Sequence, residues 1–493
     1  MTDSPWASLR RLFTSTLPPL PLIAFDSKVP GPIAHSPSRR TRRATERLVP
    51  PAGIVPAQSD SFERDAAAAS RAYHDWARKA YPLEDRRKEL SRFARDFYRN
   101  RLHVRPNLTS RATFDALADP ETLLIEMAHD GQLPHLGIVR LVLKSHAIAR
   151  QDPKALTLYL VGNHYSANMR PENLRFGAPL KGGSPDDVKH PPKVRVGRAH
   201  ANTPFRLLRP PSAHGLNALR DQISDFVENN LAHEEKAGRR KAPDAKERMT
   251  ARLEDLFQIL NRAARDVDSL GDWLIRVQYD LFRRMLGREA NRIVFLPMAD
   301  LTNLLHPELA TVAERADEVS AIKAEVGREQ LASGIEPYTR TPQESPLWAY
   351  CPSCFRRSRN PWIPGTALEL RCPYCRSHVV LAAEEAWKWT MPDIVGYEAA
   401  LFRLGISGWV VGSHAPYHPV IERTYARLFG TEMPPKFFLT SVPVFRGIGD
   451  PREGYKRTRL LRALLEMEAP AVAKALNGPW TEDPLLRSDL LDS

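Results

Sequence analysis

The hydrophobic and polar positions change period several times along the chain, and each change marks an element. From Ser61 to Asn100 apolar residues recur at helical spacing among charges, with Phe62, Tyr73, Trp76, Phe93 and Phe97 forming the stripe. Residues 59–118 are therefore expected to form an amino-terminal helical extension whose aromatic side packs. TLLIEMA, residues 122–128, is a short continuous apolar run and predicts a strand. The Gly- and Pro-containing turn HDGQLPHLG follows, then an amphipathic helix over IVRLVLKSHAIAR (138–150) and a second strand over LTLYLVGNHY (156–165). A strand, tight turn, helix and strand of these lengths make a right-handed βαβ unit, hence a parallel sheet.

Residues 213–290 read as long charged helices, including MTARLEDLFQILNRAA and DWLIRVQYDLFRRML. They form a helical insertion or buttress, with coiled-coil partner binding as the alternative. RIVFLPMADL (292–301) returns to a strand pattern. GISGWVVGSH (405–414) predicts a strand and loop, PVIERTYARLFG (419–430) a helix closed by Gly430, and KFFLTSVPVF (436–445) another strand. No solenoid-type repeat is present. The fold class is α/β, and ligands of parallel sheets bind beyond the carboxyl ends of the strands.

All four cysteines of the chain lie between the two strand-rich regions, as two C-P-x-C knuckles. Cys351 and Cys354 are separated from Cys372 and Cys375 by seventeen residues, a spacing that predicts a four-thiolate zinc site. Two disulfides or four unrelated core thiols are the competing readings: adjacent C-x-x-C disulfides are mostly redox motifs and no thioredoxin-like strand and helix adjoins either pair, and chance burial would not produce two matched pairs with no fifth cysteine. The Trp362 and Gly365 turn region and the strand LELR then fit a ribbon of short strands pinned by metal, over residues 346–384. A closed shell of four sulfurs leaves no open coordination position, so structural Zn2+ is expected here.

Charge and composition narrow the classes. The chain has 493 residues and a formal net charge of +13, with an isoelectric point near 9.6. Its length accommodates two or three domains, and the charge favours an anionic partner such as nucleic acid or a nucleotide. Residues 1–58 contain SPSRRTRRATER and many prolines, which predicts a disordered basic arm. Arg39, Arg40, Arg42, Arg43 and Arg47 would either touch phosphates or simply be solvated. No run reaches the roughly 18 apolar residues of a membrane helix, and no cleavable signal opens the chain. With thiols arranged for metal, a reducing cytoplasm is expected.

Within the turn after the first strand, Gly131 and Gly137 let backbone approach a ligand, and His135 offers a hydrogen bond to a phosphate oxygen. The bland alternative is a structural histidine. Pro134, His135, Leu136, Gly137 and Ile138 resemble the P-x-H-I-G-H turn of class I aminoacyl-tRNA synthetases. Further pieces agree in order with the class I lysyl-tRNA synthetases. They are Arg170–Leu174 followed by GAPL (177–180) and SPDD (184–187), the segment from Ile293 to Gly327, the ribbon, WKWTMPD (387–393), and VGSHAPYHPVIERTYARLFGTEMPPKFFLTS. The resemblance spans roughly residues 120–460. It implies a Rossmann-like parallel sheet of the class I synthetase type, split by the helical insertion and the zinc ribbon. Residues 119–345 would be its first half and residues 385–493 its second half with carboxy-terminal helices.

The same resemblance implies an ATP-dependent ligase that forms an adenylate on an amino acid or related carboxylate, with Mg2+, and transfers the acyl group to tRNA or another acceptor. It assigns ATP contacts to Gly131, Pro134, His135, Gly137, Gly412, His414, Lys456 and Arg457. His135 and Lys456 would be catalytic, and Asn163, His164 and Trp389 would line the substrate pocket. The chain departs from the family pattern in several places. Ile138 replaces the second signature histidine, GNHYS (162–166) replaces an aspartate-rich stretch, and Ser413 replaces the aspartate of G-x-D-H. DPREGYKRTR (450–459) stands where a K-M-S-K-S loop is expected, and the family's anticodon-binding domain has no room after it. These departures motivate the alternative of a catalytically degenerate, synthetase-like RNA-binding or scaffold protein.

Overall fold

The computed structural model describes residues 62–104, 108–130, 136–163, 174–175, 193–194, 204–236, 245–333, 337, 347–359, 362–363, 365–411 and 417–438. In chain order it begins with helices α1 (Phe62–Ala80), α2 (Glu84–Asn100) and α3 (Leu108–Ala118). Strand β1 (Leu123–Asp130), helix α4 (Leu136–Arg150) and strand β2 (Ala155–Gly162) follow, then the two-residue strands β3 (Leu174–Arg175) and β4 (Lys193–Val194). The insertion holds α5 (Ala213–Lys236), α6 (Ala245–Asp266) and α7 (Leu270–Leu286), and β5 (Ile293–Pro297) returns to the sheet. Next come α8 (His306–Glu314) and α9 (Ala316–Ala332), followed by the ribbon strands β6 (Leu347–Tyr350), β7 (Arg357–Arg359), β8 (Leu368–Arg371) and β9 (His378–Leu381). Beyond them lie α10 (Ala383–Ala386), β10 (Thr390–Pro392), α11 (Ile394–Leu401), β11 (Ile406–Val411), α12 (His418–Phe429) and β12 (Lys436–Phe438).

The large sheet is parallel and has five strands in the order β12-β11-β1-β2-β5. Ranked by their place along the chain, these are the fifth, fourth, first, second and third strands of the sheet, so the sheet grows outward in both directions from β1. Strands β2, β5 and β11 are buried at every position. That is why their sequences are continuous apolar runs and do not alternate: a parallel strand covered on both faces has no solvent side. Each fully buried Leu, Ile or Val contributes about 1.5–3 kcal/mol relative to an exposed one. Two boundaries differ from the pattern-based expectation. The run RIVFLPMADL is strand only to Pro297 and then tightens into a 3-10 turn over Met298–Asn303, while the helix after β1 starts at Leu136, two residues early.

The chain groups into two compact units that divide within β1. One holds the described residues of Ser91–Ala116 and Met127–Pro297. In it the end of α2 is tied to the insertion: Arg101 grips Asp272 with two guanidinium hydrogen bonds of 3.1 and 2.6 Å, and Tyr98 accepts the backbone N–H of Phe295 at 2.8 Å. Ser269 caps α7 by accepting from the Asp272 N–H, and the Trp273 indole donates to the Leu260 carbonyl, joining α7 to α6. These contacts join α2, α6 and α7 within the unit.

The other unit holds the described residues up to Leu90, Leu117–Glu126 and those of Met298–Thr440. Helix α1 lies on β11 at Gly408, where an added Cβ would stand 2.5 Å from the Ser70 hydroxyl and 2.7 Å from the Phe437 ring. Only glycine permits that approach. The Phe62 ring meets Phe437 edge-on, so part of the predicted aromatic stripe packs, as expected. Gly430 ends α12 at φ 63°, in the left-handed conformation expected of a helix-closing glycine. Lys323 and Asp393 form a fully buried ion pair, and Asp393 also caps α11 through the Gly396 N–H. No helix among the described residues is long and apolar enough to cross a membrane.

Candidate metal centre

The ribbon begins with an antiparallel sheet in the order β10-β6-β7 and continues as the β8–β9 hairpin. Its strands are three or four residues long, so its core is small. Leu347, Ala349, Trp362, Leu368, Leu370 and Ala386 pack around the buried Cys351 and Cys372. Trp362 earns its burial by donating its indole N–H to the Thr366 carbonyl at 2.9 Å. A cluster of this size cannot offset the ordering entropy of some thirty-five residues at roughly 1–2 kcal/mol each, and the knuckles indicate what supplies the remainder.

The two C-P-x-C turns have the same hydrogen-bond pattern. Cys351 N–H donates to the Arg356 carbonyl and Phe355 N–H to the Cys351 carbonyl; Cys372 N–H donates to the Ser377 carbonyl and Arg376 N–H to the Cys372 carbonyl. Pro352 and Pro373 preset the first bend. In both turns the residue after the second cysteine, Phe355 at φ 59° and Arg376 at φ 61°, occupies the left-handed region without being glycine. That conformation costs roughly 1–2 kcal/mol per residue, and its repetition in both knuckles means that something common to both holds it.

The four sulfurs converge. All lie within 4.8 Å of one another, with Cys351 and Cys375 at 3.6 Å and Cys354 and Cys372 at 3.6 Å. A disulfide requires about 2.05 Å, whereas a tetrahedron of Zn–S bonds of about 2.3 Å requires sulfurs about 3.8 Å apart. The arrangement fits a tetrahedral ion such as zinc. The Ser377 hydroxyl lies 3.2 Å from Cys351 Sγ and 3.1 Å from Cys375 Sγ. Its hydrogen bonds lower the Cys375 thiol to about 6, while burial and then the neighbouring thiols raise Cys354 to about 12. A divalent ion held by the four sulfurs would take all of them as thiolates. Four sulfur ligands would close the shell of such an ion and leave it no open coordination position.

Of the residues assigned to ligand binding by sequence, Cys351, Cys354, Cys372 and Cys375 are brought together. Gly131, Pro134, His135, His164, Gly412, His414, Lys456 and Arg457 lie outside the described residues. Gly137 stands in the first turn of α4. Asn163 is fully buried just beyond β2, where its carbonyl accepts the Arg206 N–H at 3.0 Å. A Cβ added to Gly271 would stand 2.9 Å from its own Cβ. Trp389 packs against the ribbon core with its ring stacked on Phe355, centroids 6.2 Å apart.

Sequence reasoning missed two features. Ser377 had no signal beyond its place just after the second knuckle. The second feature is a pair of carboxyls, Glu126 on β1 and Glu398 on α11, both buried, with both oxygens of Glu126 and one of Glu398 lacking a hydrogen-bond partner. Burial raises both groups, Glu398 to about 8, and the proximity of Glu398 raises Glu126 further. The signal was available: Glu126 is the one charged residue inside the apolar run TLLIEMA. Compared with known proteins, the chain matches no family profile and no characterised protein.

Proposed function

We propose that the chain is an ATP-dependent ligase that activates a carboxylate, an amino acid or a relative of one, as its adenylate. The observation that carries this reading is the strand order. A parallel sheet growing both ways from its first strand supports a doubly wound, Rossmann-like reading, and sheets of that kind bind nucleotides outside the carboxyl ends of the strands where the order reverses. The chain leaves β1 at Asp130 and enters α4 at Leu136, so Gly131, Pro134 and His135 fall in the sequence between that strand and a helix amino terminus, whose free N–H groups favour phosphate. Gly412 and His414 follow the end of β11 in the same manner.

In this reading the substrate carboxylate oxygen attacks the α-phosphorus of ATP. The bond between α-phosphorus and bridging oxygen breaks, and pyrophosphate leaves with the electron pair. His135, the start of α4, and Lys456 with Arg457 stabilise the phosphate charge, with Mg2+ accompanying ATP. An acceptor hydroxyl or amine, on tRNA or another molecule, then attacks the acyl carbon and AMP departs. The zinc ribbon serves as a rigid module between the two stretches of chain that build the sheet.

The test is amino-acid-dependent exchange of labelled pyrophosphate into ATP with the full-length, zinc-loaded protein. One amino acid should support exchange, and His135→Ala should lower it about 100-fold or more with an unchanged thermal midpoint. Absence of exchange with all twenty amino acids would overturn the reading and leave the scaffold alternative.

A further inference from the structure

The exposed side of the ribbon has a composition unlike the rest of the described surface. Among the described residues, three of the four large apolar side chains that stand exposed are on it: Ile363, Tyr374 and Val380, at 40, 54 and 63 %. Between Leu347 and Leu381 there are five arginines and a single acidic residue, Glu369. Even after the double negative charge of a zinc tetrathiolate is subtracted, the module remains positive.

The hairpin register shows how these groups share a face. Leu368 and Leu370 point into the core, while Glu369 and Arg371 point out; opposite them, Val380 pairs with Glu369 and His378 with Arg371. Glu369 accepts from His378 at 3.0 Å and from Arg371 at 3.3 Å, so the one carboxylate is already engaged. Beyond Arg371 the chain enters the second knuckle, which carries Tyr374 and Arg376. The Arg356 guanidinium of the first knuckle lies over the Tyr374 ring, 5.1 Å from its centroid. Neither Arg356 nor Arg376 has a carboxylate partner among the described residues, and both are exposed. The result is an exposed aromatic ring with a guanidinium over one face and a second unneutralised guanidinium two residues on, beside the four-cysteine cluster.

We infer that this face of the ribbon, built from Arg356, Arg371, Tyr374, Arg376 and Val380, is a docking surface for single-stranded RNA. Guanidinium groups supply the phosphate contacts, and an exposed tyrosine face takes an unstacked base. An acidic protein would satisfy the arginines but would leave the ring without a planar partner. A duplex presents no free base face, and unstacked bases are the ordinary state of RNA loops and ends. The choice of RNA rests on the ligase reading, in which RNA is an acyl acceptor; the surface itself is read from the ribbon alone.

The test uses the full-length, zinc-loaded chain and a labelled oligouridylate, with anisotropy read over a salt series in the absence of ATP. Tyr374→Ala should weaken binding roughly tenfold or more at constant salt. The double variant Arg356→Gln with Arg376→Gln should reduce the slope of log K against log salt by about 1.4, two phosphate contacts on a single strand. Zinc content and thermal midpoint are measured on each variant, and a second reading with Arg371→Gln guards against local misfolding of the knuckles. The inference is overturned if all these variants bind oligouridylate as the parent does, which would leave binding to the basic amino-terminal arm, or if the parent binds duplex DNA or a poly-glutamate peptide as tightly as RNA. Pyrophosphate exchange by the same variants separates the two proposals: exchange intact with RNA binding unaltered sinks only the surface, and RNA binding dependent on Tyr374 without exchange by any form sinks only the ligase.

Discussion

In strand β2 every residue from Ala155 to Gly162 is buried, whereas along β8 only alternate residues are, and β9 is nowhere fully covered. The two regions are held by different means. The parallel sheet is held by side chains packed on both faces, where each methylene taken out of water contributes about 0.8 kcal/mol. The ribbon has strands of three or four residues and a core of a few side chains around two cysteines. The left-handed Phe355 and Arg376 show backbone held against its own preference at the knuckles. A region stabilised by distributed packing tolerates loss of one contact; a region that relied on one bound ion would not.

The largest expected effect follows directly. Stripping zinc with a chelator, or substituting Cys372→Ser, should abolish the order of the ribbon, since structural zinc supplies on the order of 10–16 kcal/mol of apparent binding free energy. Amide exchange should lose protection in residues 347–381 and retain it in β2 and β5; uniform loss in both regions would erase the distinction.

The converse change strikes the sheet and spares the metal. Gly408→Ala forces a methyl into the space of the Ser70 hydroxyl and the Phe437 ring, both buried within the same packed layer. It should destabilise the protein by about 2–3 kcal/mol in denaturant titration with zinc stoichiometry unaltered. A neutral outcome would mean that α1 does not sit on β11 as described.

Smaller, and dependent on pH, is the effect of the buried carboxyl pair. Burial holds Glu398 at about 8, against an ordinary value of 4.5, and raises Glu126 as well. Between those values the folded chain keeps a proton that the unfolded chain has released. The stability these groups allow is therefore full below the unfolded value and lost as pH rises through about 8. Glu398→Gln should raise the stability at pH 9 by about 1–2 kcal/mol and leave it unchanged or lower at pH 5. Parallel curves for parent and variant would show that the pair is not protonated together in the fold.

The smallest effect is at the join between ribbon and sheet. Trp389→Leu removes the stack on Phe355, a pair contributing about 0.5–1.5 kcal/mol beyond its area, and should lower the thermal midpoint slightly without changing zinc content. A large loss of metal would make Trp389 part of what holds the first knuckle.

How far each region could be read in the sequence follows from the same contrast. The four thiolates were legible because metal geometry demands a fixed residue type at fixed spacing, and the two knuckles state it twice. The strands of the sheet were legible as apolar runs, but their ends were not. Pro297 to Met298 changes from strand to 3-10 turn within one hydrophobic stretch, since composition alone does not say where backbone partners run out. Glu126 went unread because a lone carboxylate in an apolar run is ordinarily at an exposed position, and its burial is decided by β11 and α11, whose residues lie some 270 positions away. Ser377 was illegible for a related reason: a serine acquires its role only when two sulfurs from separate knuckles are brought within 3.2 Å of its hydroxyl. Asn163 and Trp389 were read from a resemblance as pocket residues. Their described contacts are with Arg206 and Gly271 in one unit and with Phe355 in the other, partners that only the folded chain identifies.

The measurement that bears most directly on the central claim is zinc stoichiometry combined with X-ray absorption at the zinc edge on the protein purified without added metal. The account predicts one zinc per chain surrounded by four sulfurs at about 2.3 Å, with no nitrogen or oxygen ligand. A metal-free chain with its four cysteines paired as disulfides, or a zinc with fewer than four sulfur neighbours, would contradict it.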